Sequence, residues 1–495
     1  MVASLLKVIY SGAEDDRLGC TRQPKERLQK YISGHIGSKQ GRATTQWNRL
    51  DFISTPDFGK QCSVILSRKG HFIRRIFLVT TLPDLDADRA ALGAVTPRFG
   101  YTNSVGHALI QDATVTIGGA PIDTLNGRLM EVLDEAYTPL DKVQTVNRLI
   151  GRSDTNIGDG IDGKTLYIPL PFWFTSEDAR MALPIDAIAM DEVRLTINMN
   201  ALAGLYYTRS RTADGSALAS LDAPQYYTYD EIGVEHPELY IPPEGADPQQ
   251  YTRRIVTVGT GHAAADYHLG DTYILAEYIY VDSPEANRFR LADLEIPIIQ
   301  HEIITPYETN GRVELQIPIR MGNPAKTLRF YVHNDTALQY NSYFDGTREC
   351  VAVNQYGPAQ QLWWPDAVGL GDTWMGTLQP AFVSRQSEPL NSIQLRYQGQ
   401  LLRYSSVNPV QFRSILPLLY GDVKTAWHHR YYYMIPFGEC GVNADKIEKM
   451  ELELQLSPIR GQLSSTAVVP AATVYLFAET MNILRIFGGR AGLLF

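Results

Sequence analysis

Between residues 191 and 200 the chain alternates: Val193, Leu195, Ile197 and Met199 fall on one side of an extended backbone, Arg194, Thr196, Asn198 and Asn200 on the other. That period of two marks a strand with one face in a core and one in water. The pattern returns three times downstream. Val313, Leu315, Ile317 and Ile319 oppose Arg312, Glu314, Gln316 and Arg320, with Pro318 pointing to a sheet edge or bulge. Residues 392–397 alternate, and so do Met450, Leu452, Leu454 and Leu456 against Glu451, Glu453 and Gln455. These read as antiparallel strands with one wet face. Further strands are predicted at residues 5–10, on either side of a Gly70 turn within residues 57–83, over residues 113–117 before Gly118 and Gly119, and from Thr272.

Helical signals are few. Leu125, Leu129, Val132, Leu133 and Ala136 recur at helical spacing behind Asp123, a predicted cap. Ser176 is positioned to cap a one-turn helix with Glu177 and Asp178 at its positive end, after which Pro184 returns the chain to an extended path. Two long connections break the strand grammar. Residues 205–265 carry Tyr206, Tyr207, Tyr226, Tyr227, Tyr229, Tyr240 and Tyr251 among Pro and Gly, and residues 345–390 carry Trp363, Trp364 and Trp374. Connections of that length are functional or disordered. The polar stretch 283–290 is the expected boundary between two sandwiches, with an arm over 1–30, a first unit over 31–290 and a second over 291–495. The chain closes on an apolar segment, NILRIFGGRAGLLF, expected to be tied into a core or a partner.

Composition supports an all-β reading: 28 Tyr, 39 Gly and 28 Pro in 495 residues suit strands punctuated by turns. The net charge of −9, with scattered Lys and Arg, implies no broad electropositive face, so direct nucleic acid binding is not expected. The first forty residues hold a slight basic excess, read as a solvated arm. Cys20, Cys62, Cys350 and Cys440 lie far apart with no CxxC pair, which fits reduced thiols rather than a disulfide framework or zinc site. The apolar opening is short and interrupted by Lys7, and no run approaches the ~18 residues of a membrane span.

Candidate chemistry is thin. Asp84, Asp86 and Asp88 imitate an EF-hand opening, but Arg89 stands where the loop needs Gly and Val95 where it needs Glu. His428 and His429, as strand neighbours, point to opposite faces and cannot share one ion unaided. Gly118-Gly119 and Gly259-Thr260-Gly261 lack the Lys-Ser/Thr of a phosphate loop and read as turns. Asp366 and Asp372 near Trp363, Trp364 and Trp374 are the makings of a sugar cleft, so a carbohydrate-binding or hydrolysing sandwich is a remote alternative. Asn334-Asp335-Thr336 is a glycosylation sequon, relevant only in a secretory context. No catalytic, cofactor-binding or metal-binding residue is assigned, and no cofactor is expected.

Several ordered segments resemble one family, the major capsid proteins of nucleocytoplasmic large DNA viruses. Residues 103–123, NSVGHALIQDATVTIGGAPID, are similar to its most recognisable passage. Residues 168–174 with Ala182-Leu183-Pro184, residues 278–289, YIYVDSPEANRF, and residues 482–495 match others in the family's order. Residues 5–15, 68–83, 323–330 and 397–403 resemble further pieces. Departures occur at residues 23–30 and at residues 439–443, where Asn443 and Ile447 are retained, so the chain is a divergent member. The resemblance implies two tandem eight-stranded jelly rolls with long inserted loops and a few short helices. It also implies a homotrimeric, pseudo-hexagonal capsomer in an icosahedral shell assembled in the host cytoplasm. Implied partners are other copies, minor capsid proteins and a nearby internal membrane. A minor capsid paralogue or an assembly scaffold of the same fold is the alternative.

Overall fold

The computed structural model describes residues 43–83, 98–152, 165–176, 181–209, 267–322, 324–335, 343–344, 346, 349–352, 382–385, 388–398, 401–406, 408–424, 426, 430–438, 441–443, 447, 449–457, 459–460, 467–469 and 471–494. The arm over 1–30, most of the two long connections, the Asp84 to Asp88 triplet, the His428-His429 pair and the loop tryptophans lie outside them.

Eight strands make the first sandwich: β1 Thr44–Leu50, β2 Gln61–Ile65, β3 Phe72–Thr81, β4 Ile110–Ile117, β5 Ala120–Leu125, β6 Thr165–Pro169, β7 Val193–Met199 and β8 Tyr273–Tyr280. They form one antiparallel sheet in the order β1-β8-β3-β6 and another in the order β2-β7-β4-β5. The alternating residues explain the layering. Val193, Leu195, Ile197 and Met199 of β7 are buried and share one core with Ile76 and Leu78 of β3 and Ile274 of β8, while the polar residues between them face outward. Every connection but β4 to β5 crosses from one sheet to the other, which is the winding of a jelly roll.

The second sandwich repeats the circuit. Its strands are β9 Leu294–Glu308, β10 Glu314–Ile319, β11 Pro324–Asn334, β12 Leu390–Tyr397, β13 Leu401–Ser406, β14 Tyr433–Pro436, β15 Met450–Leu456 and β16 Ala472–Phe487. The orders are β9-β16-β11-β14 and β10-β15-β12-β13, so adding eight to each label of the first sandwich gives the second. Leu315, Ile317, Leu452, Leu454, Ile393 and Leu476 meet in a separate core. Strand β10 is an edge strand, as Pro318 implied; Val313 stands before it and is exposed rather than in the core. A short strand β17, Arg490–Leu493, folds back on β16.

Five α-helices complete the described chain: α1 Val105–Leu109, α2 Gly127–Tyr137, α3 Val143–Ile150, α4 Ser283–Leu291 between β8 and β9, and α5 Leu416–Tyr420. The predicted amphipathic helix is α2, but Asp123 does not cap it. Asp123 lies within β5, and the Asn126 side chain accepts the Leu129 N–H at 2.7 Å instead. Two residues of strand remain after Asp123, so the cap moves to the next Asx residue past them. A 3-10 turn covers Trp173–Thr175, closed by the Thr175 hydroxyl on the carbonyls of Leu170 and Phe172, with Ser176 at its end, and the helical turn expected after Ser176 falls on the residues that follow. Residues 177–180 lie outside the described residues.

Candidate functional site

The helix between β5 and β6 joins the sandwiches. The apolar stripe of α2, Leu129, Val132 and Leu133, enters the first core. A Cβ on Gly127 would lie 2.0 Å from the His107 carbonyl oxygen, so the helix start needs glycine to pass beneath α1. Its other face carries Arg128, Glu131, Glu135 and Tyr137, and it lies on the outer face of the β9-β16-β11-β14 sheet. Arg128 donates from Nη1 to Tyr331 Oη at 2.6 Å and to the Tyr343 carbonyl, and its guanidinium rests 4.0 Å from the Tyr475 ring centre. At the far end Tyr137 donates to Glu479 at 2.7 Å, and Arg329 donates to Tyr137 at 3.1 Å. Strand β5 follows the same line: the Gln300 amide donates to the Ile122 carbonyl, and His301 Nδ1 sits 3.1 Å from Asp123 Oδ2.

Charge complementarity fixes the joint. The first sandwich supplies Glu131 and Glu135; the second supplies Arg430 and Lys424. Glu131 meets Arg152 at 2.7 Å, Arg430 at 2.6 Å and His107 at 2.5 Å with no exposed side-chain surface. Glu135 meets Arg430 at 2.7 Å and Lys424 at 3.0 Å, while Asp134 meets Arg152 at 2.5 Å. Arg329 grips Asp422 through two hydrogen bonds, at 2.6 and 2.8 Å. Burial pushes the Glu131 carboxyl up, but Arg152, Arg430 and His107 more than offset it and hold the group well below the usual carboxylate range. Glu479 is held down likewise, burial being outweighed by Arg329 and His301. His301 moves the other way: burial lowers it, and the Asp123 carboxylate raises it further. Every one of these groups is spent on a neighbour, and the arrangement can hold two sandwiches at a fixed angle. It presents no group to a substrate.

The comparisons agree with that geometry. The family described as "Major capsid protein N-terminus" matches residues 43–230. "Probable capsid protein 4" of Acanthamoeba polyphaga mimivirus is 29% identical over 160 residues, 32% of this chain and 31% of that protein. The major capsid protein of Frog virus 3 (isolate Goorha) is 22% identical over 466 residues, 88% of this chain and 86% of that protein. Among solved structures, the PBCV-1 virus capsid quasi-atomic model superposes with a TM-score of 0.62 at 19% identity, covering 92% of this chain and 98% of that one. The Faustovirus major capsid protein gives 0.58 at 12% identity over 98% and 99%. The chain is similar to major capsid proteins of large DNA viruses, over residues 43–230 for the family and over most of its length for the Frog virus 3 protein. Its fold is that of the double jelly-roll capsid structures, the identities are low, and the match spans about a third of the first mimivirus relative's length.

In this capsid-protein fold the residues weighed for chemistry are not brought together. Asp84, Asp86, Asp88, His428, His429, Gly259, Gly261, Asp366 and Asp372 lie outside the described residues. Among those that are described, no group of three or more His, Cys, Asp or Glu could hold a metal ion. Cys62 is buried with its thiol 3.5 Å from the Ile197 carbonyl, and burial pushes it up to about 12, the state of an inert thiol. Gly118 and Gly119 make the β4–β5 turn with positive φ, as their pairing implied. Asn334 is buried at the end of β11. Sequence reasoning missed the joint because its partners lie hundreds of positions apart, 342 for Tyr137 and Glu479. One local signal was available: Arg128, Glu131 and Glu135 form a charged stripe of spacing three and four on a helix whose other face is apolar.

Proposed function

We propose that this protein is a structural subunit of an icosahedral virion shell, three copies closing into a block of six similar lobes that tiles a flat facet. The observation that carries this reading is the repetition of one eight-strand circuit in a single chain, with the two copies clamped by buried ion pairs. A shell block must present equivalent lateral contacts at fixed angles, and a hinge between lobes would defeat it. We place the unit boundary at about residue 290, and we place the insertions around 205–265 and 345–390 on the outward or lateral faces of the block, where added length perturbs the sandwiches least. Minor capsid proteins and an internal membrane are the proposed inner neighbours, with assembly in the host cytoplasm; the net charge of −9 suits that environment better than bare genome. Sedimentation of the purified chain and image reconstruction of the particle test the proposal. A 55.4 kDa chain that sediments only as a monomer, or that is absent from purified particles, overturns it.

A further inference from the structure

We propose that helix α5 of one copy docks on the outer face of the β1-β8-β3-β6 sheet of the next copy, repeating between copies the contact that α2 makes within one chain. This rests on the reading that copies of the chain associate, and it assigns the surface by which they do so.

Two surfaces that no described residue covers carry the argument, and each has a covered counterpart in the other sandwich. The first pair is the helices that follow the fifth strand of each circuit. In the first sandwich that helix is α2, pressed against the outer sheet face of the second. In the second sandwich it is α5, whose Leu416 and Pro417 are buried while Ile415, Leu418, Leu419 and Tyr420 are 51, 77, 68 and 49% exposed. Three consecutive large apolar residues at those exposures form a patch that among the described residues nothing covers.

The second pair is the sheets. On the outer face of the second sandwich, Glu479 of β16 lies beside His301 of β9 and Thr327 of β11. On the first, Glu277 of β8 lies beside Trp47 of β1 and Arg75 of β3, so the acid occupies the same place in the repeated order. Two and four residues earlier come Phe477 and Tyr475 in one sheet, Leu275 and Tyr273 in the other. Phe477 and Tyr475 are packed beneath the joint, whereas Trp47 is 44% and Tyr167 38% exposed, with the Phe77 ring tilted at 50° against Trp47, 5.8 Å between centres.

The faces also match in chemistry. Charged α2 lies on a sheet bearing Arg329, Glu479 and His301; apolar α5 is left to a sheet on which Trp47, Phe77 and Tyr167 surround an Arg75–Glu277 pair whose charges already meet each other at 3.5 Å. Within one chain the contact is heterologous, one surface meeting a different surface, and a heterologous contact repeated with rotation closes a ring. Three chains of two sandwiches each supply six such contacts, three internal and three between copies.

The test compares the wild-type chain with Leu418→Glu/Leu419→Glu and with Trp47→Glu, by sedimentation and by thermal unfolding. All these positions are exposed, so the expected result is an unchanged monomer fold with the trimer lost, the Kd for association rising at least 100-fold. A second arm mixes Leu419→Cys with Trp47→Cys and adds a bismaleimide; dimer-sized product carrying one copy of each variant is expected. Wild-type trimers that persist in both Glu variants, or trimers that persist with only larger assemblies lost, overturn the α5 assignment and leave the shell reading standing. A wild-type chain that never trimerises overturns the shell reading itself.

Discussion

Glu131 shows how much rests on one side chain. It is fully buried and serves Arg152, Arg430 and His107 at once, so its replacement leaves two buried guanidinium groups with only Asp134 and Glu135 to balance them. Removing one partner of a buried pair costs about 3–5 kcal/mol, far more than the pair contributes over an apolar substitute. Glu131→Gln is therefore expected to lower stability by about that amount in urea titration, whereas Arg194→Ala, which removes an exposed pair with Glu192, should change it by under ~0.5 kcal/mol. Gly127→Ala should also destabilise, because the added methyl meets the His107 carbonyl and the helix must back away from α1. The buried acids and His301 set opposite pH limits. Glu131 and Glu479 are held below 4.5, so their stabilisation is complete above that value and lost as pH falls through their lowered titrations. His301 is raised above 6.5, so its contribution is complete below 6.5 and lost as pH rises through its folded titration. Urea midpoints measured against pH should decline at both ends, and His301→Gln should flatten the alkaline limb while weakening the part of the acid limb that Glu479 supplies. None of these pairings can be read along the chain, since a charged residue on a helix has the same sequence signature whether it meets water or a second sandwich.

Strands were far more legible than what links them. Four alternating runs, at residues 193–199, 314–319, 390–397 and 450–456, are strands, because a one-residue slip would have turned each core face into water. They come from the same two sheets of the circuit, β7 in one sandwich and β10, β12 and β15 in the other, each with one face on a core. Strands such as β8 and β16, buried on parts of both faces, read only as apolar runs, and their place between first and third strands was invisible. The order of strands in a sheet is set by pairings across hundreds of residues, which no local pattern records. Helix α2 was recognised by its period, yet its start was misplaced by three residues from Asp123 to Asn126. Asn126→Ala is expected to cost about 1 kcal/mol, read as a lowered melting temperature, while Asp123→Ala should act through His301 and reduce the alkaline pH dependence instead.

At the scale of the whole molecule the joint makes two sandwiches one body. Leu484 and Ile486 of β16, with Ile296 and Ile298 of β9, belong to the first sandwich's apolar cluster even though their strands belong to the second. Backbone contacts extend that union: the Met190 N–H donates to the Gly489 carbonyl at 2.8 Å and the Ala491 N–H to Asp191 at 3.0 Å. Unfolding followed by near-ultraviolet and far-ultraviolet dichroism should give one coincident transition, and Glu131→Gln should separate it into two. The repetition of the circuit was beyond the alternation pattern, which spoke of two sandwiches but not of their identical winding. That winding puts β16 between β9 and β11, more than 130 residues after the second of them. A nascent polypeptide stopped anywhere before residue 472 thus leaves two unmatched strand edges and an unfilled seam beside the neighbouring lobe. If the proposed shell reading holds, truncated translation products are expected to stay out of the lattice for want of that one strand, with no separate inspector needed.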